Sequence, residues 1–314
     1  MSKNLTIAVS NIAPLIGLDA YNNFPRIICE IWRKYNPIDY NKCKDKLKLK
    51  GITAIATSNE LNDIWEADEA IGTKVTNINN NKDKSSSDMV SQQNDILKEI
   101  SKSITLDAKQ KEELSKKVCS VTNKMHGVNN EDAILEEFCR LSEKTIKDTQ
   151  QWLNIQLPNV SATTTTTSTT TSTTISTTST TISTTTNVNN VSWSIVGKYD
   201  GITTDNELVE AKMRQKCLFK KLRDYENVQI QLYMHALNIT KAYLVESYTN
   251  KKNKNEIYVN ETNYDADYVR DIIINRVYKF IEFFDVFMGN EDYRESLLLG
   301  DKDRRIYTIY ESSF

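Results

Sequence analysis

The sequence predicts a mixed α/β fold, on three observations. Strand-like runs rich in β-branched and aromatic residues occupy 151–157, 193–202 and 207–214. Helical apolar periodicity recurs on either side of them, and the order reads helix, three strands, helix, strand. The third observation concerns what must be left out: of 314 residues, positions 163–186 are all Ser or Thr except Ile175 and Ile182. Such a tract cannot join a core and is expected as a disordered insertion. Apolar residues make up 39%, charged residues 26%, and there are only 8 Gly and 4 Pro, which excludes collagenous, Pro/Gly-disordered and multi-span membrane chains.

The elements follow in order. Residues 1–35 hold "IAVSNIAPLIGL" and "FPRIICEIWRKY", the second with Ile27, Ile28, Ile31 and Trp32 at helical spacing, so an N-terminal helical element is expected to pack on a later core. Residues 36–57 are Lys-rich and irregular, and "SNELNDIWEADEAI" opens a short helix capped by Ser58 or Asn59. From Thr73 to Gln93 the composition of Asn, Lys, Ser and Asp predicts a disordered loop. "NDILKEI" and "DAKQKEELSKKV" read as two modest helices, the latter with Asp107 and Gln110 at capping-box spacing. Residues 36–125 thus read as an insertion, partly helical and partly disordered.

The core is expected over 126–314. Ile134, Leu135, Phe138, Leu141 and Ile146 form an apolar stripe, with Asp132, Glu136, Glu137, Arg140 and Lys144 off it. "QWLNIQL" is the first strand, and the low-complexity loop at 161–190 sits at the tip of its hairpin with "WSIVGKYDGI", where insertions are tolerated. "TTDN" turns into "ELVEAKMR"; a basic connector leads to the helix "YENVQIQLYMHALNI" and the strand "KAYLVESY". "EIYVN" adds a further strand, and the amphipathic helix "ADYVRDIIINRVYKFIEFFDVFM" closes the domain.

Net charge is −2, from 40 basic and 42 acidic side chains, so any binding to nucleic acid must come from a local patch. Five cysteines, Cys29, Cys43, Cys119, Cys139 and Cys217, show no CxxC pair, which predicts reduced thiols in a cytoplasmic or nuclear setting. With only His126 and His235, zinc hydrolysis and Ser-His-Asp chemistry have little material. The apolar run after Lys3 is broken by Ser10, Asn11 and Pro14 with no cleavage site behind it, so neither secretion nor a membrane association is expected. Abundant Asn, Lys and Ile is the composition of an AT-rich genome, large DNA viruses among them, which would place the protein in a host cell.

One constellation carries chemistry. In "KYDGITTDNELVEAKMR", Glu210 and Lys212 lie two apart in a strand and project from one face, and the hairpin turn brings Asp200 within reach. Two carboxylates and an ammonium on one sheet face suit a phosphodiester site in which the carboxylates hold hard divalent cations. Glu131 precedes Ile134 and Leu135 by three and four residues and so shares their apolar face. It is either a helix N-terminal acid favoured by the macrodipole or a buried carboxylate compensated by a cation. Gln229 and Gln231 interrupt an apolar helix, and their amides need partners inside the fold. Six basic residues, Lys212, Arg214, Lys216, Lys220, Lys221 and Arg223, run to the next helix with no acid among them, as a solvated run or a clamp on a nucleic-acid backbone.

Asp-x9-Glu-x-Lys followed by Gln-x-Gln-x-Tyr, with a glutamate-bearing helix upstream, resembles the PD-(D/E)xK nuclease superfamily, and within it the lambda-exonuclease and YqaJ-like viral recombination nucleases. Three blocks in family order carry the resemblance: "TIAVSNIAPLIGLDAYNNF", "HGVNNEDAILEEF" and residues 193–248. It implies a restriction-endonuclease-like core of α-β-β-β-α-β order and a metal-dependent deoxyribonuclease, an exonuclease in recombination, repair or replication. Asp200, Glu210 and Glu131 would ligate Mg²⁺ or Mn²⁺, Lys212 would orient the attacking water, and Gln231 and Gln229 would brace that lysine or the scissile region. Ser10 and Lys3 match a pocket for a terminal 5′-phosphate, with Lys3 where the family has arginine and Lys198 where it has serine; the long insertion before Glu131 is a further departure. Arg214, Lys216 and Lys220 would hold the DNA backbone. The implied partners are duplex DNA ends, further copies of the chain and a single-strand annealing protein. A RecB- or Cas4-like nuclease, an endonuclease of the superfamily, and a non-catalytic DNA-binding protein on the same fold use the same residues.

Overall fold

The computed structural model describes residues 3–19, 24–79, 86–158, 191–249, 255–300 and 310. Its first element is a strand, β1 (Lys3–Ala8), where the sequence reading had a helical block. The reason is visible in the alternation: Leu5 and Ile7 are buried while Asn4 and Thr6 are exposed, a period of two. Helix α1 (Val9–Leu15) follows, and α2 (Phe24–Tyr35) buries Ile28, Ile31 and Trp32, the spacing that predicted it.

Five helices follow. They are α3 (Pro37–Leu49), α4 (Ser58–Ala67), α5 (Glu69–Asn79), α6 (Ser86–Lys102) and α7 (Ala108–Ser142). Thr57, rather than Ser58 or Asn59, caps α4, in a reciprocal box with Glu60. Much of the segment expected as a loop is helical, because Val75 and Met89 find buried places in a small core with Leu61, Ile71, Ile96, Ile100, Leu114 and Val118. Residues 80–85 lie outside the described set. Asp107 and Gln110 form the expected capping box, but the helix they start continues through Gly127 to Ser142. A single glycine costs about 1 kcal/mol in a helix interior, too little to break one anchored at both ends. The far end of α7 packs Ile134, Leu135 and Phe138 on the sheet.

Two sheets, one of three strands and one of five, are joined by one long, bent hairpin. Strands β2 (Ile146–Thr149) and β3 (Trp152–Leu157) form one arm; β4 (Val191–Lys198) and β5 (Gly201–Thr203) form the other. β3 pairs antiparallel with β4 and β2 with β5. At the bend the outer neighbour changes. β1 lies parallel to β4, whereas β6 (Leu208–Arg214) runs antiparallel to β5. Helix α8 (Asp224–Leu237) then crosses to β7 (Lys241–Thr249), parallel to β6, and β8 (Asn255–Asn263) closes the edge. With each arm of the bent hairpin counted as one strand, the elements from α7 to β7 run α-β-β-β-α-β, an order compatible with a restriction-endonuclease-like α/β core, and the fold is mixed α/β. The Ser/Thr tract lies outside the described residues, but the strands on either side of it pair, Leu157 opposite Trp193.

A π-helical stretch, Tyr268–Ile274, runs into α9 (Asn275–Gly289) and then α10 (Glu291–Leu299). On α9, Phe280 and Phe284 meet Trp193 edge-on at 6.1 and 5.5 Å. Burying such side chains contributes roughly 1.5–3 kcal/mol apiece, and it fixes which face of β4 is internal. Among the described residues no helix is long and apolar enough to cross a membrane.

Candidate active site

The bend in the hairpin creates the site. Gln150, between β2 and β3, adopts a left-handed conformation, φ 57°, a region sparsely used by residues other than glycine. Opposite it, Asp200 stands between β4 and β5 where β6 diverges, and the backbone N–H of Ala211 donates to its Oδ2 at 2.8 Å. Along β6, Glu210 and Lys212 share a face as the two-residue period requires, while Ala211 packs against α7. Lys212 Nζ donates to Glu210 Oε1 at 2.6 Å.

Glu131 comes to the same place from α7. It lies deep inside that helix, so the macrodipole does not account for it. Gln150 Nε2 donates to Glu131 Oε2 at 2.9 Å and reaches Asp200 Oδ1 at 3.4 Å, tying the two carboxylates together. From α8, Gln229 Nε2 donates to Glu210 Oε1 at 2.7 Å and to the Tyr233 hydroxyl at 3.3 Å; that hydroxyl donates to the Lys198 carbonyl at 3.0 Å. Tyr233 passes so close to β4 that a Cβ at Gly197 would lie 2.6 Å from its ring. Glycine is required there for α8 to approach.

Burial dominates the electrostatics. It raises the Glu131 and Asp200 carboxyls above their usual range, with the Asp200 charge adding to the shift at Glu131 and Lys212 opposing it at Asp200. Burial likewise pushes Glu210 up to about 8, against the pull of Lys212 and with the charges of Asp200 and Glu131 adding to the shift. Desolvation works to lower Lys212, but Glu210 and Asp200 outweigh it and hold the ammonium above its usual range. Two buried carboxylates and the half-buried Glu131 around one ammonium leave excess negative charge. The cluster therefore holds a proton near neutral pH unless a cation takes its place.

Other residues singled out in the sequence are placed differently. Gln231 points away from the carboxylates: its Nε2 donates to the Asn263 carbonyl at 2.8 Å, and its Oε1 accepts from the Asp265 N–H at 2.9 Å. Two positions on a helix differ by about 200°, so only one of the two glutamines can face the site, and it is Gln229. Arg214 does not clamp a backbone. It is buried between Glu226, 2.7 Å from its guanidinium, and Glu246, which its Nε meets at 2.7 Å. Lys216 and Lys220 are exposed on the connector, where the Lys220 N–H donates to Glu246. Lys198 is exposed, and its charge acts on both Asp200 and Glu131.

Ser10 is exposed in the first turn of α1, and the pairing of Ala8 with Val196 delivers it to the end of the sheet that carries Lys198. Lys3 is elsewhere. Its Nζ donates to the Tyr35 carbonyl at 2.7 Å and sits 4.4 Å from that ring's centroid. A strand rises about 3.3 Å per residue, which sets Lys3 roughly 17 Å from Ala8; the two helical turns that would unite Lys3 with Ser10 do not exist. Sequence reasoning missed Gln150, a residue outside any periodic pattern, and did not foresee that Tyr233 would support the site through Gly197.

No family model matches the sequence, and no curated protein matches it. Among solved structures, the chain is similar to SSO0001, with 11% identity over 68% of this chain and 83% of that one and a TM-score of 0.35. It is also similar to an alkaline exonuclease from Laribacter hongkongensis, with 10% identity over 62% of this chain and 88% of the other and a TM-score of 0.33. At that distance, function must be read from the chemistry of the site itself.

Among the described residues no three His, Cys, Asp or Glu side chains stand together as a group that could hold a metal ion. Lys212 occupies one oxygen of Glu210, and the backbone of β6 occupies one of Asp200. The other oxygen of Glu210, Oε2, is buried with no hydrogen-bond partner, a state that ordinarily costs about 1–3 kcal/mol or more. A buried, orphaned carboxylate oxygen is the kind of atom a cation satisfies, and carboxylate donors suit a hard ion such as Mg²⁺ or Mn²⁺.

Proposed function

We propose that this protein is a metal-dependent deoxyribonuclease that hydrolyses phosphodiester bonds at DNA ends, acting in the cytoplasm or nucleus in recombination, repair or replication. The observation that carries this reading is the meeting of Asp200, Glu210, Glu131 and Lys212 at the hairpin bend, with Glu210 Oε2 buried and unpartnered. Asp200, Glu210 and Glu131 would hold the cation. A divalent ion there supplies charge neutralisation for the phosphate and a lowered pKa for water.

The chain's own groups do the positioning. Lys212 carries the ammonium that orients the nucleophilic water and offsets charge on the phosphate. Gln229 holds Glu210 in place, and Gln150 sets the spacing of Glu131 and Asp200. Lys198, Ser10, Lys216 and Lys220 are exposed around or beyond the bend and available to backbone phosphates, further copies of the chain and a single-strand annealing protein being its partners.

A second reading within the same superfamily, a RecB-like nuclease, is favoured by one contact: Gln229 bonds both Glu210 and Tyr233, a Gln-x3-Tyr arrangement. Digestion of linear, 5′-phosphorylated and circular duplexes with Mg²⁺ or Mn²⁺ separates action at ends from internal cleavage. Degradation confined to phosphorylated linear DNA supports the exonuclease, and nicking of circles supports an endonuclease. No digestion of any substrate with either ion would sink the enzyme reading.

A further inference from the structure

All four tryptophans of the chain lie among the described residues, and three of them, Trp32, Trp65 and Trp193, are buried. Trp152 leaves 73% of its surface in water. An indole is the side chain with most to gain from burial, and one held out at the end of a strand, two residues from Gln150 and its carboxylate partners, is placed to meet a planar partner.

Its position is set by the bend. Trp152 is the first residue of β3, directly opposite Lys198 in the antiparallel register, so the indole and the ammonium are neighbours on one face. Two residues earlier, Gln150 bonds Glu131 and Asp200. Gln150 holds the left-handed conformation that turns β2 into β3, and backbone of that kind persists where the surroundings over-determine it. The inner face of β3 and β4 is filled by Leu157, Trp193 and Ile195 packed in the core. The outer face carries Trp152, Asn154 and Gln156, all exposed. A polar, open strand face with one aromatic at its catalytic end matches a strand of nucleic acid, whose bases stack and whose phosphates seek cations.

We propose that Trp152 is a stacking platform for an unpaired nucleobase next to the scissile phosphate, with Lys198 taking the adjoining phosphate. The inference rests on the nuclease reading above and sharpens its substrate. A base inside a duplex has both faces covered by its neighbours, so a platform here selects a strand that is single or frayed where it is cut. Stacking is tolerant of base identity, and the preference is for strandedness rather than sequence.

Trp152 is the one solvent-exposed tryptophan, which makes it its own probe. In EDTA, where hydrolysis is blocked, a single-stranded oligonucleotide should quench the tryptophan emission and protect it from acrylamide. A dumbbell duplex with no free end should do neither. With Mg²⁺, Trp152→Ala should raise KM for single-stranded or frayed ends about tenfold, the scale of one base–aromatic stack. Its kcat should stay within about twofold, and Trp152→Phe should restore KM. Quenching by the dumbbell equal to that by the single strand would overturn the proposal, as would an unaltered KM in Trp152→Ala. Emission already shielded from acrylamide without DNA would overturn it too, since another part of the chain would then cover the indole. A wild type that shows the quenching but digests no DNA would strike the nuclease reading and leave the platform standing. Digestion without quenching would do the reverse.

Discussion

Glu210 is the residue on which the site's energetics turn. Its folded pKa of about 8 lies well above the value of roughly 4.3 for an unfolded glutamate, so the folded, metal-free protein holds a proton that the unfolded chain gives up. The stability tied to that proton is complete below about pH 4.3 and is lost as pH rises through about 8. Asp200 and Glu131, raised in the same direction by burial, add to the trend. In EDTA, the melting temperature should fall between pH 5 and pH 8.5; Glu210→Gln should flatten the fall, and Mg²⁺ should stabilise more at pH 8.5 than at pH 6. A melting temperature that rises over this range would show that the carboxylates are not held as described. The two glutamines of α8 make a second comparison at this scale. Gln229→Ala frees Glu210 and should lower kcat at least tenfold with little loss of stability. Gln231→Ala removes two bonds that brace β8 and the turn after it, costing about 1–3 kcal/mol with kcat unchanged. The sequence showed that both amides need partners, but which of them faces the carboxylates is decided by the packing of α8 and not by residue type.

At the scale of the element, α7 and the bent hairpin explain what was legible and what was not. Periodicity placed Glu131 on the same face as Ile134 and Leu135 and so found its place in the site. The length of α7 was hidden because Gly127 and the polar residues around it look like a boundary. A Cβ at Gly127 would meet nothing within 4 Å, so Gly127→Ala should stabilise the protein by up to about 1 kcal/mol. The contrasting change, Gly197→Ala, drives a methyl into Tyr233 and Val9. Overpacking of this kind costs about 1–3 kcal/mol, and it should also reduce activity, since Tyr233 supports Gln229. Thermal melts of the two variants side by side check both signs. β1 was misread because its short alternating run continues directly into helical α1, and a window spanning both shows neither period. Gln150 left no trace in the sequence, for it works through a backbone conformation that a glutamine rarely adopts. Arg214 looked like part of a basic strip until its neighbours in space, Glu226 and Glu246, were found far along the chain.

For the whole molecule, apolar patterns gave the order of elements from α7 to β7 except for β2, whose Ile146 was read into the helix before it, along with Leu141, which is exposed; the candidate site falls where those elements converge. The low-complexity tract sits between two strands that pair across it. Loop-closure entropy changes slowly with loop length, by about 0.6 kcal/mol per doubling. Deleting residues 163–186 should therefore leave both folding and metal-dependent digestion largely intact, measured by circular dichroism and initial rates; an unfolded product would show that β3 and β4 do not pair as described. The small core built from α4, α5, α6 and the start of α7 joins the sheet through α7, the helix that also carries Glu131. The claim on which everything else depends is that Asp200, Glu210 and Lys212 form a hydrolytic centre, and the initial rate of Mg²⁺-dependent digestion of linear DNA by Lys212→Ala tests it most directly. With the fold verified by circular dichroism, the rate should drop at least about a hundredfold, as befits a group acting on the attacking water. A folded Lys212→Ala protein that digests DNA as fast as the wild type would contradict the account.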